Sequence, residues 1–135
     1  MVFVFDSGSV DAPFDRSVAR LLGAGGDLLG DAAVAAFAEG RGGVLHTGVP
    51  HTRARGLVLP LAWAAAPPPP FLERFDGELE LSPLAPVRSQ LDFRGTCTCG
   101  GEHDRASSER LAAEQVRRFL ALLGGILASG DEVTG

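Results

Sequence analysis

From Phe75 to Ser82 the chain alternates. Phe75, Gly77, Leu79 and Leu81 fall on one side of an extended backbone, and Asp76, Glu78, Glu80 and Ser82 fall on the other. A period of two predicts a strand with one covered and one solvated face. The period returns at Gln90–Cys99, where Leu91, Phe93, Gly95, Cys97 and Cys99 alternate with Gln90, Asp92, Arg94, Thr96 and Thr98. The short connection "PLAPVRS" makes the pair an antiparallel hairpin. One register sets Leu79 beside Phe93 and Glu78 beside Arg94, so apolar meets apolar and opposite charges meet. A shift of two residues would set Glu78 beside Asp92, which is less favourable.

Other elements follow from the same patterning. "VFVFDSGSV" carries β-branched and aromatic residues at consecutive positions and predicts a first strand buried on both faces. "DAPFDRSVARLLG" predicts a helix with Asp11 as N-cap, Pro13 near the first helical position, and a stripe of Phe14, Val18, Leu21 and Leu22. "DLLGDAAVAAFAEG" predicts a second, alanine-rich helix capped by Asp27 or Asp31. "GVLHTGV" reads as a weak strand and "RARGLVLPLAWAA" as a stronger one. In the latter Leu57, Leu59, Leu61 and Trp63 share a face, and Val58, Pro60, Ala62 and Ala64 form an apolar opposite face. Pro60 has no N–H to donate, so that strand must lie at an edge there or be bulged. "PPPP" is a stiff connector. A last helix is expected over about Ser108–Ala128, started by Ser107 or Ser108. Its broad apolar face contains Leu111, Gln115, Val116, Phe119, Leu120, Leu123, Ile126 and Leu127. Each hairpin strand has one apolar face, and only the last helix is long enough to cover them. The expected fold is therefore α+β: an antiparallel sheet curved around a long C-terminal helix, with two short helices after the first strand.

The 135 residues suit one domain, 1–135, with 129–135 as a frayed tail. A net charge of −5 with dispersed arginines argues against a nucleic-acid surface and against anionic membranes. The basic residues are all arginine and tyrosine is absent, which removes lysine Schiff-base chemistry and tyrosine acid catalysis. The opening segment lacks the features of a leader peptide and reads as mature sequence. Cys97 and Cys99 are too close for an unstrained disulfide, so two free thiols and a cytoplasmic setting are expected.

Three short motifs carry candidate chemistry. In "CTCGGEH", Cys97, Cys99 and His103 offer three metal ligands, with His46, His51 or Glu102 as a fourth. That spacing is not a strong zinc signature, and buried apolar filling is the simpler role for the thiols. In "HTGVPHTR", His46 and His51 have the right type for proton transfer or for gripping an anion with Arg53 and Arg55, although a solvated strand edge is the simpler reading. His46, Asp92 and Glu80 are the strand-borne acid–base candidates, and the pattern points both acids outward. "GAGGDLLGD" lacks the lysine of a phosphate-binding loop and reads as a break between helices. No metal or organic cofactor is expected.

The runs "GLVLPLAWAA" and "RFDGELELSPLAPVRSQLDFRG", followed by a long helix containing "AAEQVRRFLALL", resemble the SRPBCC superfamily of START-like, polyketide-cyclase-like helix-grip proteins. "VDAPFDRSVARLL" is similar to their first strand-to-helix passage, so the resemblance spans most of the chain. It implies an apolar cavity between sheet and helix that takes lipids, polyketides or similar molecules, with the two short helices at its mouth. The inward positions that would line it are Leu59, Leu61, Trp63, Phe75, Leu79, Leu81, Leu91, Phe93, Val116, Phe119 and Leu123. From patterning alone the favoured reading of these residues is an ordinary packed core, and the resemblance brings the cavity level with it. The implied function is to bind or carry a small hydrophobic molecule. The alternatives are a cyclase- or dehydratase-like enzyme using a histidine, His46 being the candidate, and an interaction module that forms a homodimer through Val58, Ala62 and Ala64. This chain departs from the pattern in its alanines around Trp63, in the short segment after its last strand, and in a sheet reduced by one or two strands.

Overall fold

The computed structural model describes residues 2–23, 27–37, 43–54, 56–65, 72–99 and 105–129. In chain order these form β1 (Val2–Val10), α1 (Phe14–Gly23), α2 (Asp27–Phe37), β2 (Gly43–Thr47), β3 (His51–Arg53), β4 (Gly56–Ala65), β5 (Leu72–Ala85), β6 (Arg88–Cys99) and α3 (Arg105–Ser129). The six strands make one antiparallel sheet in the order β1-β6-β5-β4-β2, with β3 also pairing β4. This is the expected helix-grip arrangement. The prolines 67–70, residues 100–104 and the tail 130–135 lie outside the described residues.

The hairpin takes the register that charge and hydropathy favour: Leu79 pairs with Phe93 and Glu78 with Arg94. Continued across the sheet, that register builds rows. One runs Leu59–Leu79–Phe93, another Leu57–Leu81–Leu91, and a third Trp63–Phe75–Cys97–Val2. All these side chains are buried on the helix side, in one core cluster with Leu21, Leu29, Ala112, Val116, Phe119, Leu123 and Leu127. Helix α3 lies closest along β1 and α2, then β6, and only lightly on β5.

The row between the aromatic ones is Leu61–Gly77–Gly95–Val4. A Cβ on Gly77 would fall onto the Arg94 carbonyl oxygen and lie 2.9 Å from Gly95 Cα. One on Gly95 would fall onto the Asp76 carbonyl and lie 2.7 Å from Gly77 Cα. Opposed Cβ atoms in an ordinary antiparallel pair stand about 4.5–5.5 Å apart. The strands therefore cross more closely here than any residue with a side chain allows. The empty row has a second effect. Phe75 and Phe93 lie on the rows to either side, and their rings meet edge to face with centroids 5.2 Å apart.

Proline 60 is accommodated by a break in the neighbouring strand. Its carbonyl accepts from Gly48 N–H at 2.9 Å, so this side of Pro60 faces the segment between β2 and β3. A strand residue turns its N–H and C=O to the same side. The missing donor thus falls where β2 has ended and β3 has not begun. The expected edge at Pro60 is therefore a local one, made by an interruption of the adjacent strand.

Several expectations are corrected. β1 is not buried on both faces: Phe3 is 70% and Phe5 59% exposed, because no layer covers the outer side of the sheet. α1 begins at Phe14, with the Pro13 carbonyl accepting from Ser17 N–H at 3.0 Å, so Asp11 stands too early to cap it. The Asp11 carboxylate lies 3.4 Å from Arg88 Nε instead. Leu22 is off the α1 core stripe, and Ser17 takes a buried place on it. α3 starts three residues before the expected position, so Ser107 and Ser108 lie inside it. His51–Arg53, expected to be a loop or strand edge, forms the short strand β3. Val58, offered as part of a dimer face, has 0% exposure, lying beside Glu80 and His51 on neighbouring strands.

Candidate functional site: an apolar groove between sheet and helix

The eleven proposed lining residues, Leu59, Leu61, Trp63, Phe75, Leu79, Leu81, Leu91, Phe93, Val116, Phe119 and Leu123, are all buried and belong to one cluster. Strand alternation brings those of β4, β5 and β6 to the helix side, and the 3.6-residue period brings those of α3 to the sheet side. Within this cluster Trp63 marks one end of β4. Its indole lies where a Cβ on Gly43 would stand, so the β2 glycine is covered by the ring.

A hollow lies between α1, α2 and the break in the outer strand, and no described residue of α3 lines it. Leu21, Leu22, Leu29, Thr47, Gly48, Pro50 and Leu59 surround its volume of about 290 Å³. Three physical features make this opening. Pro60 interrupts the outer strand at Gly48–Pro50; α1 ends at Gly23; and α2 presents Leu29 and small alanines to the core. Leu59 belongs both to this hollow and to the buried cluster. Sequence patterning placed Leu59 in the lining and missed Leu21, Leu29 and Pro50. Helical spacing identified Leu21 as a core residue, but only the three-dimensional break in the strand makes it part of an opening.

Two buried polar atoms sit among the apolar groups. Ser17 Oγ and Gln115 Oε1 have no hydrogen-bond partner among the described residues. A buried acceptor without a donor costs about 1–3 kcal/mol, so such atoms are uncommon unless something else satisfies them. Gln115 was recognised in the sequence only as a member of the apolar stripe of α3.

The titratable candidates lie elsewhere. His46 is exposed and pairs with Ala62, which alternates with the inward Leu61 and Trp63. It borders a shallow outer depression with Pro60, Ala62 and Asp76. His46 therefore stands on the outer face of the sheet, away from the inward cluster. His51 is exposed, its Nδ1 3.5 Å from the Val49 carbonyl. Asp92 accepts from Gln90 Nε2 at 2.9 Å on the outer face, and Glu80 takes Arg94 there. Cys97 is buried between Phe75 and Val2 in the inner row. The Cys99 side chain, Glu102 and His103 lie outside the described residues. Among the described residues no three His, Cys, Asp or Glu side chains gather to hold a metal.

The outer face is instead organised by charge. Arg53 donates to both carboxylate oxygens of Glu78 at 3.2 Å, and Arg94 reaches Glu78 and Glu80 at 3.3 Å. The Arg53 hydrogen bond holds the Glu78 carboxyl below its ordinary value of 4.5; partial burial opposes this, and the charges of Arg53 and Arg94 reinforce it. The sign follows directly. A lowered native value means the folded state favours the ionised carboxylate, so the network's stabilisation is complete above the unfolded value. It is lost as pH falls through the lowered native value. Because these groups are partly exposed, Glu78→Gln should cost only about 0.2–1 kcal/mol at pH 7. The difference between variant and wild type, measured by urea unfolding, should vanish in acid below the Glu78 transition.

No family model matches the chain, and no curated protein matches it. Solved structures do match. A conserved protein from Geobacillus kaustophilus aligns with a TM-score of 0.62 at 12% identity, covering 94% of this chain and 95% of that one. A START superfamily protein from Mycobacterium smegmatis aligns at 0.57 and 13% identity, covering 93% and 96%. The human StarD13 (DLC2) lipid transfer and protein localization domain aligns at 0.53 and 11% identity, covering 96% of this chain and 78% of that one. The likeness is one of fold. No described helix is long and apolar enough to cross a membrane.

Proposed function

We propose that this chain, which has the START-like fold, binds or carries a small hydrophobic molecule that enters at the hollow between α1, α2 and β4 and reaches toward the apolar cluster between sheet and α3. The observation that carries the reading is the hollow of about 290 Å³ whose wall residue Leu59 also belongs to the buried apolar cluster. Ligand sites of this kind are mostly apolar clefts of about 300–1,000 Å³ with a few placed polar groups. Removal of apolar surface from water drives binding, at about 25 cal/mol per Å². The fold likeness to a lipid transfer domain favours the same class. A histidine-dependent reaction is disfavoured because His46 stands on the opposite face.

The test uses 1-anilinonaphthalene-8-sulfonate as an apolar fluorescent probe. Wild-type protein should enhance and blue-shift its emission with saturable binding. Leu22→Glu, which charges a half-exposed wall of the mouth, should weaken that binding by about tenfold with little change in melting temperature. A wild type that leaves the probe in water, or a variant that binds it equally well, contradicts the proposal.

A further inference from the structure

Thr47 is the last residue of β2, and it carries the one polar side chain among the described residues that surround the hollow. Its direction follows from the register. Thr47 pairs with Leu61, whose side chain is buried in the core cluster, and directly opposed residues of an antiparallel ladder share a face. The Thr47 side chain therefore turns to the inner side of the sheet, opposite to that of His46. It is nevertheless exposed, because β2 ends here and the segment facing Pro60 leaves the strand. An inward hydroxyl at an open wall is available to whatever fills the hollow.

The rest of that wall offers hydrocarbon. Leu21, Leu29 and Leu59 are apolar, and no charged side chain lines the hollow among the described residues. Beside Thr47, the Gly48 N–H already goes to the Pro60 carbonyl, and Pro50 has no N–H. A plain hydrocarbon seated here would strip the Thr47 hydroxyl of water and give it no partner, which carries a desolvation penalty. A hydroxyl both donates and accepts, so an alcohol, ester or ketone oxygen restores the lost bond. An ionised head group would lose hydration with no cation on the wall to replace it.

We propose that Thr47 sets ligand specificity: it selects a neutral amphipathic molecule whose oxygen-bearing end meets the Thr47 hydroxyl while its hydrocarbon lies against Leu21, Leu29 and Leu59. The inference rests on the binding role proposed above and deepens it by naming the ligand class. The apolar wall supplies affinity, and Thr47 supplies the choice. Apolar walls discriminate weakly between hydrocarbons, whereas a wall group that hydrogen-bonds an oxygen rejects the analogue lacking it.

Headspace gas chromatography over protein solutions measures the binding of 1-octanol and of octane. The readout is the ratio of the two affinities in each protein, so their own difference in hydrophobicity cancels between wild type and variant. Thr47→Val keeps the β-branched shape and should lower the preference for octanol by roughly three- to tenfold. Thr47→Ala should lower it similarly, which keeps the comparison decisive if the valine packs differently. Thr47→Ser keeps the hydroxyl and should hold the wild-type ratio. Octanoate at neutral pH should compete for bound octanol only weakly. A wild type that binds neither compound would overturn the binding role and this inference together. A ratio indifferent to Thr47→Val and Thr47→Ala, or octanoate that competes as well as added octanol, would overturn this inference and leave the binding role standing.

Discussion

Gly77→Ala is expected to destabilise the protein by about 3 kcal/mol, the upper range for forcing atoms into a packed interior. The reason is backbone contact rather than side-chain crowding. The added methyl would meet the Arg94 carbonyl and the Gly95 backbone, neither of which can rotate away. Relief requires β5 and β6 to separate, and that disturbs the long hairpin at its centre. It also drives a group into the space over which Phe75 and Phe93 meet. Gly95→Ala should behave similarly, because its Cβ would strike the opposite strand. A loss of this size lowers the melting temperature by roughly 10–15 °C for a chain of this length. Differential scanning calorimetry of the two variants checks it. Melting within a degree or two of wild type would mean that the strands do not cross closely at these glycines.

Phe93→Ala is expected to have the second large effect, a loss of about 3–5 kcal/mol, as for truncation of a fully buried aromatic side chain. Phe93 has no exposed surface, sits in the row with Leu59 and Leu79, and donates or receives the edge contact with Phe75. The variant also separates two views of the interior. Where the groove holds a ligand, the lost ring enlarges the space available, so the variant should accept a bulkier apolar probe even as its urea midpoint falls. Where the interior is already filled by side chains, the same variant loses stability and gains no binding. Urea unfolding gives the stability change, and probe fluorescence gives the binding change.

The sheet was legible in the sequence because alternation is a local signal. Leu79 facing Phe93 and Glu78 facing Arg94 follow from hydropathy and charge on two neighbouring segments, and no distant information is needed. The single core-facing stripe of α3 was legible for the same reason. What could not be read depends on which elements lack a neighbour. "VFVF" has the composition of a doubly buried strand, yet β1 is the last strand of the sheet and its phenylalanines stand in solvent. Val58 shows the reverse: an apolar position on an outer face that neighbouring strands and charged groups nevertheless cover. Caps failed similarly, since Asp11 and Ser107 have cap chemistry but the chain starts its helices at other residues.

The candidate site divides along the same line. The inward residues of β4, β5, β6 and α3 were predictable from periodicity. The opening was not, because it arises where Pro60 of β4, the β2–β3 break and the ends of two helices meet. His46 illustrates the limit of residue type as a guide. Its chemistry suits proton transfer, but a one-residue offset from Leu45 turns it to the far side of the sheet.

The central claim is that the space between the sheet and α3 admits an apolar molecule. Native mass spectrometry of the protein purified without detergent, then incubated with dodecanol and with dodecane, tests it most directly. The account predicts a saturable one-to-one dodecanol adduct for each 14.0 kDa chain, weakened in Leu22→Glu. Bare chains at every concentration, or adducts indifferent to the groove substitution, would contradict it.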